Sequence, residues 1–179
     1  SNVPNKTILG CNERGFFNQW ISDEIGFRNP KNQIGTRVDY LLIGDSFAEG
    51  ACENEDGTIA GLLRSTGLKI ANLARGGSGP LFQLALLIEY SELFDTKEVI
   101  WIVFTGNDLF NLREEKTTSL SRYMEENFKN NLYENRERHS KALLKFLDSS
   151  IEKSRLRMKD NLPLPNNKGY GERLDIVEA

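Results

Sequence analysis

Residues 38–50 read VDYLLIGDSFAEG. The stretch Val38–Ile43 is a short, nearly continuous apolar run, the pattern of a strand buried on both faces of a parallel sheet. It stops at Gly44-Asp45-Ser46, where polar, turn-forming residues end the strand. Two other runs resemble it. Leu68–Leu73 (LKIANL) is the weaker, whereas Glu98–Phe104 (EVIWIVF) is β-branched and aromatic and reads as a central strand within the core. Helical patterns separate them. Thr58 is placed to cap IAGLLRST before Gly67 stops it, and Pro80 stands in the first turn of LFQLALLIEYSELF. Strands alternating with helices predict parallel strands joined by right-handed crossovers, an α/β fold.

Outside this core, at 38–118, the chain reads differently. Residues 1–37 show little regular pattern and are expected as an irregular segment packed on the domain, with SDEIGFRNP (22–30) a turn-rich cover. Residues 119–179 are expected as a charged helical region and the C-terminal part of the same domain. From about Ser119 to Asp160 one or two long amphipathic helices are expected, with Leu143, Leu147 and Ile151 spaced four apart. NLPLPNNKGYG (161–171) is a loop by composition, and ERLDIVEA (172–179) opens a new helical pattern.

The chain has 179 residues and 39% hydrophobic content, enough for one core and short for two. A net charge of −3, with both signs interspersed, offers no footprint for nucleic acid or anionic lipid. No stretch is long and apolar enough to span a membrane, and no leader pattern is present. A small or neutral partner is expected. With one histidine, His139, no protein-built zinc centre and no cofactor are expected. The two cysteines, Cys11 and Cys52, read equally as separate thiols or as a single bridge.

In open parallel sheets, reactive groups gather at the carboxyl ends of strands, where loops diverge and helix N-termini present free N–H groups. Here those loops are Gly44-Asp45-Ser46, then Asn72 to Gly79 (NLARGGSG), then Thr105-Gly106-Asn107-Asp108. Acyl transfer would use such residues together. Ser46 can hold a hydroxyl in the cleft while its own N–H faces a developing oxyanion. Gly77 can offer a second N–H at close approach, and the Asn107 carboxamide a third donor. The competing readings are structural: Ser46 as a helix cap, Asp45 and Asp108 as turn and loop anchors, and Gly76, Gly77 and Gly79 as turn formers. Phosphate binding is set aside, because the glycine-rich loop lacks a P-loop lysine and dinucleotide spacing. Arg75 could contact an anionic substrate.

GDSF at 44–47, NLARGG at 72–77 and GND at 106–108, in this order and each after its own strand, resemble the first three signature blocks of the SGNH (GDSL) hydrolases. The resemblance spans roughly residues 20–160. Its wording is most similar to a bacterial branch found with cell-surface polysaccharide loci. It implies a flavodoxin-like, three-layer α/β/α sandwich around a five-stranded parallel sheet. It also implies Ser46 as nucleophile, with the Ser46 N–H, Gly77 and Asn107 as oxyanion hole. Members are esterases, lipases and carbohydrate O-acyl esterases or transferases, so a serine esterase or O-acyltransferase acting on a glycan ester is expected.

The family's last block, Asp-x-x-His, is missing. His139 lies in NRERHSKA, with Arg136 where the aspartate would stand, and reads as a surface residue. The chain ends before the last two strands implied by the resemblance, so further sequence carrying the base is expected, and these 179 residues alone should turn over little. An incomplete sheet leaves an apolar edge uncovered and favours pairing with a second copy or folding back of the charged helices. The alternative is a non-catalytic SGNH-like module that binds glycan or protein. A Cys11–Cys52 bridge would pin the N-terminal segment near the Ser46 turn and favour an extracytoplasmic location.

Overall fold

The computed structural model describes residues 2–13, 15 and 17–159. Its architecture is mixed α/β. The first 37 residues are more regular than their sequence suggests: β1 (Thr7–Leu9) and β2 (Gln19–Ile21) pair antiparallel, with Ile8 opposite Trp20. A three-stranded parallel sheet follows, built from β3 (Tyr40–Ile43), β4 (Ile70–Asn72) and β5 (Val99–Trp101) in the order β4-β3-β5.

β3 is the central strand, as its apolar run demands. Leu41 and Ile43 join a core with Ala71, Leu73, Ile25 and Phe27, closed by Leu86 and Tyr90 of the long helix after β4. Leu42 enters a second core on the opposite side, with Ile70, Ala48 and Ala60. This alternation follows from the two-residue repeat of side chains along a strand.

The helices begin where local chemistry places them. α1 (Ser46–Glu49) is one short turn, and α2 (Ile59–Ser65) is capped by Thr58, whose hydroxyl accepts the Gly61 N–H at 2.9 Å. α3 (Pro80–Tyr90) has Pro80 in its first turn, where a missing N–H costs nothing. α4 (Asp108–Glu115) follows β5, and its Glu115 accepts the N–H groups of Gly79 and Leu81 at 2.7 and 2.9 Å. A carboxylate thus sits on the free donors at the start of α3.

The segment 22–30 is a structural clamp. Asp23 accepts from the N–H groups of Ile25 and Phe27 and from Asn29 Nδ2, all within 2.9 Å, folding the stretch on itself. Burial raises the Asp23 pKa, and these three donors oppose the rise. Asn29 then occupies the outer edge of β4: its Oδ1 accepts the Asn72 N–H at 2.6 Å and its Nδ2 donates to the Asn72 carbonyl at 3.0 Å. Arg64 takes the Ile70 carbonyl and also reaches Asn29 Oδ1. Two side chains therefore occupy the backbone groups that an added strand would need.

The other edge corrects the sequence reading. β5 is not a central core strand; it is shorter than the EVIWIVF run, and no described strand pairs with its outer side. Val99, Trp101, Val103 and Phe104 are each more than a third exposed. Their apolar character is that of a core strand, but the neighbour that would bury them is absent among the described residues.

After α4 a 3-10 helix, Ser119–Met124, anchors the chain to α3: Tyr123 donates to Glu89 at 2.7 Å, and Glu89 also accepts the Leu132 N–H. One long helix, not two, represents the charged region. α5 (Arg136–Lys159) belongs to a second compact unit that begins at Glu134 and carries Leu143, Leu147 and Ile151. The loop and helix read over 161–179 lie outside the described residues. Among those described, no helix is long and apolar enough to cross a membrane.

Candidate functional site

The site begins where β3 ends. Gly44 adopts φ 154°, and a Cβ there would stand 2.7 Å from Ala48 Cβ and 2.8 Å from the Ile102 carbonyl oxygen, so only glycine fits the turn. Asp45 is the cap of α1, its Oδ1 accepting the Phe47 N–H at 3.0 Å. Ser46 is therefore not the capping residue. It is half-buried at the helix's first position, and among the described residues its N–H donates to no protein acceptor.

The second loop is bound tightly to the first. The Gly44 carbonyl accepts from the Arg75 N–H at 3.1 Å and from Ser78 Oγ at 3.1 Å, while Asn72 Nδ2 donates to the Ala48 carbonyl at 2.8 Å. Glu49, the last residue of α1, is 4% exposed and reaches back across the gap. Its Oε2 accepts the Gly76 N–H at 2.7 Å, and its Oε1 pairs with Arg75 Nη1 at 3.0 Å. Gly76 consequently lies against the nucleophile candidate: a Cβ built on it would be 3.5 Å from Ser46 Cβ. Gly77, next in line, has φ 75°, is exposed and borders open space; its N–H too has no protein acceptor among the described residues.

The third loop is closed by Asp108, which is fully buried and accepts the Phe104 N–H on Oδ2 at 2.9 Å. The ring of Phe104 packs on Phe47, centroids 4.6 Å apart, joining this loop to α1. Asn107 is half-buried. Both residues act electrostatically on the Asp45 carboxyl. Burial raises its pKa, a polar contact from the Asn107 side chain lowers it, and the Asp108 charge raises it further. No hydrogen bond within 3.5 Å reaches Asp45 Oδ2, Asn107 Oδ1 or Asp108 Oδ1, and all three atoms are buried.

The structure thus brings Asp45, Ser46, Asn107 and Asp108 together with the Gly76-Gly77 turn at one end of the sheet. His139 is exposed on α5, in the second unit. Cys11 and Cys52 form a disulfide, Cα atoms 4.9 Å apart, that ties the N-terminal segment to the loop just after α1. Arg28 holds the same loop, donating to the Gly50 and Glu53 carbonyls at 2.6 and 2.9 Å and to Glu55 at 3.1 Å.

The sequence reading passed over Glu49. Its signal was an acidic residue in an otherwise apolar turn, four residues after the cap. The chemistry available here is a hydroxyl at a helix start, two backbone N–H groups without protein acceptors, and a neighbouring carboxamide. No protein-family model matches this chain, and no curated protein and no solved structure matches it.

Proposed function

We propose that this chain carries the nucleophile and oxyanion-binding half of a serine esterase or O-acyltransferase of the SGNH type, acting on acyl esters of a glycan. One observation supports it most directly: Ser46 stands at a helix start beside the glycine turn, with its N–H and that of Gly77 still available as donors. In this reading Ser46 Oγ attacks the ester carbonyl and loses its proton to a base. The carbonyl oxygen becomes an oxyanion held by the Ser46 and Gly77 N–H groups and the Asn107 carboxamide. Collapse releases the alcohol, and water or a sugar hydroxyl then takes the acyl group. The three-layer, five-stranded SGNH architecture is part of the same proposal.

A serine hydroxyl without a base is a poor nucleophile, and these 179 residues contain no Asp-x-x-His. The proposal therefore assigns the base to sequence outside them. Its test is labelling of the natural full-length protein by a fluorophosphonate, with loss of label in Ser46→Ala. Absence of label under conditions that label a control esterase would remove the assignment.

The missing motif favours one alternative, a non-catalytic module that keeps the cleft for glycan or protein binding. It predicts glycan binding that survives Ser46→Ala without any labelling.

A further inference from the structure

The net charge of −3 conceals a division along the chain. Residues 1–133 hold 13 Lys or Arg against 18 Asp or Glu, whereas α5, Arg136–Lys159, holds eight against three. The helix is basic by five charges inside an acidic protein, a contrast that the whole-chain figure averages away.

Its apolar residues are segregated as well. At 3.6 residues per turn, Leu143, Leu144, Phe146, Leu147 and Ile151 fall within less than half of the circumference, with Ser140, Ser150 and Ser154 between them. Arg138, Lys141, Lys145, Lys153 and Arg155 occupy the remainder, together with Glu137, Asp148 and Glu152, the helix's only acidic residues. Leu156 lies outside the stripe. Leu143, Leu144, Phe146 and Ile151 are each more than a third exposed, and of the five only Leu147 is buried. The acyl-transfer reading gives this helix no task.

We propose that α5 lies flat on an anionic lipid surface, with its stripe at the boundary between headgroups and acyl chains and its lysines and arginines on the headgroups. A helix that combines a one-sided apolar face with a basic polar face partitions into that boundary through both terms, apolar burial and attraction to anionic lipid. The long stems of Lys and Arg let the charges stay at the headgroups while the stripe is immersed. The helix rests on the surface and does not cross it, since its charges rule out a span.

Other occupants each leave an observation unused. Packing against the apolar side of β5, or against a second copy, would cover the stripe and leave the basic excess without a purpose. Nucleic acid would use the charges and leave Phe146 and Leu144 in water. A protein groove encloses more of a helix than an arc of under half the circumference supplies. A bilayer surface takes that arc and the charges together.

The test is flotation of the full 179-residue chain with phosphatidylcholine vesicles, made with and without phosphatidylglycerol. The chain should float with the anionic vesicles and not with the neutral ones, and added salt should release it. Replacing three basic residues, Lys141→Gln, Lys145→Gln and Lys153→Gln together, should weaken partitioning about a hundredfold, at about fivefold per charge. Phe146→Ser should weaken it about tenfold through lost apolar burial. Phe146 is 58% exposed, so this variant should keep the wild-type urea midpoint.

Failure to float with anionic vesicles overturns the proposal, as does equal flotation with neutral ones. A lowered urea midpoint in Phe146→Ser, with no flotation of the wild type, assigns the stripe to protein packing instead. Binding to duplex DNA that the triple replacement weakens and Phe146→Ser does not, again with no flotation, assigns the charges to nucleic acid. Fluorophosphonate labelling has no bearing on these outcomes, so the surface reading and the hydrolase reading stand or fall separately.

Discussion

Replacing Glu49 separates the glycine turn from α1. In Glu49→Ala the Gly76 N–H loses a carboxylate acceptor at 2.7 Å and is left buried or loosely hydrated. A hydrogen bond to a charged group contributes about 1.5–3 kcal/mol. The second contact adds less, because Arg75 is about a third exposed and such pairs contribute about 0.5–1 kcal/mol. The expected loss is therefore about 3 kcal/mol. Glu49→Gln should be milder, about 1–1.5 kcal/mol, since its carboxamide oxygen can still accept from Gly76 while its NH₂ cannot pair with Arg75. Urea denaturation followed by tryptophan fluorescence measures both. Amide exchange at Gly76 should quicken in each variant, more in the alanine. If alanine and glutamine destabilise equally, or alanine by less than about 0.5 kcal/mol, the carboxylate does not hold the turn and the argument from Glu49 fails.

Two further outcomes bear on the frame around the site. Reducing the Cys11–Cys52 bridge, or Cys52→Ser, frees a loop of 41 residues and should cost about 4 kcal/mol by loop-closure entropy, read as a lower urea midpoint than that of the oxidised chain. Asn29→Ala removes both partners of the Asn72 peptide groups, so about 2–3 kcal/mol should be lost, with faster exchange at the Asn72 N–H; unchanged exchange would mean that the β4 edge is protected by something else.

Much of the core was legible from local pattern. The apolar run before Gly44, the hydroxyl of Thr58 and the ring of Pro80 each act within a few residues of themselves, so their roles were visible without the fold. The run at Glu98–Phe104 misled because periodicity reports what a strand is suited to, not which neighbours it has. β5 has core composition and, among the described residues, an open side. The clamp at 22–30 and the carboxylates of Glu49, Glu89 and Glu115 were illegible for a common reason: each acts on backbone N–H groups 27 or more residues away or on an edge built later in the chain. A single glutamate in an apolar helix looks like surface until its acceptor role is seen in space. In the candidate site, the types and order of Ser46, Gly77 and Asn107 were readable, while the burial of Asp45 and Asp108 was not.

The two borders of the parallel sheet are unlike, and this limits how the sheet can grow. With Arg64 and Asn29 occupying one margin, the described residues leave hydrogen-bonded extension to the Val99–Trp101 side. Two copies joined there would leave no margin to recruit a third, so assembly by this route ends at a closed pair and gives no fibre.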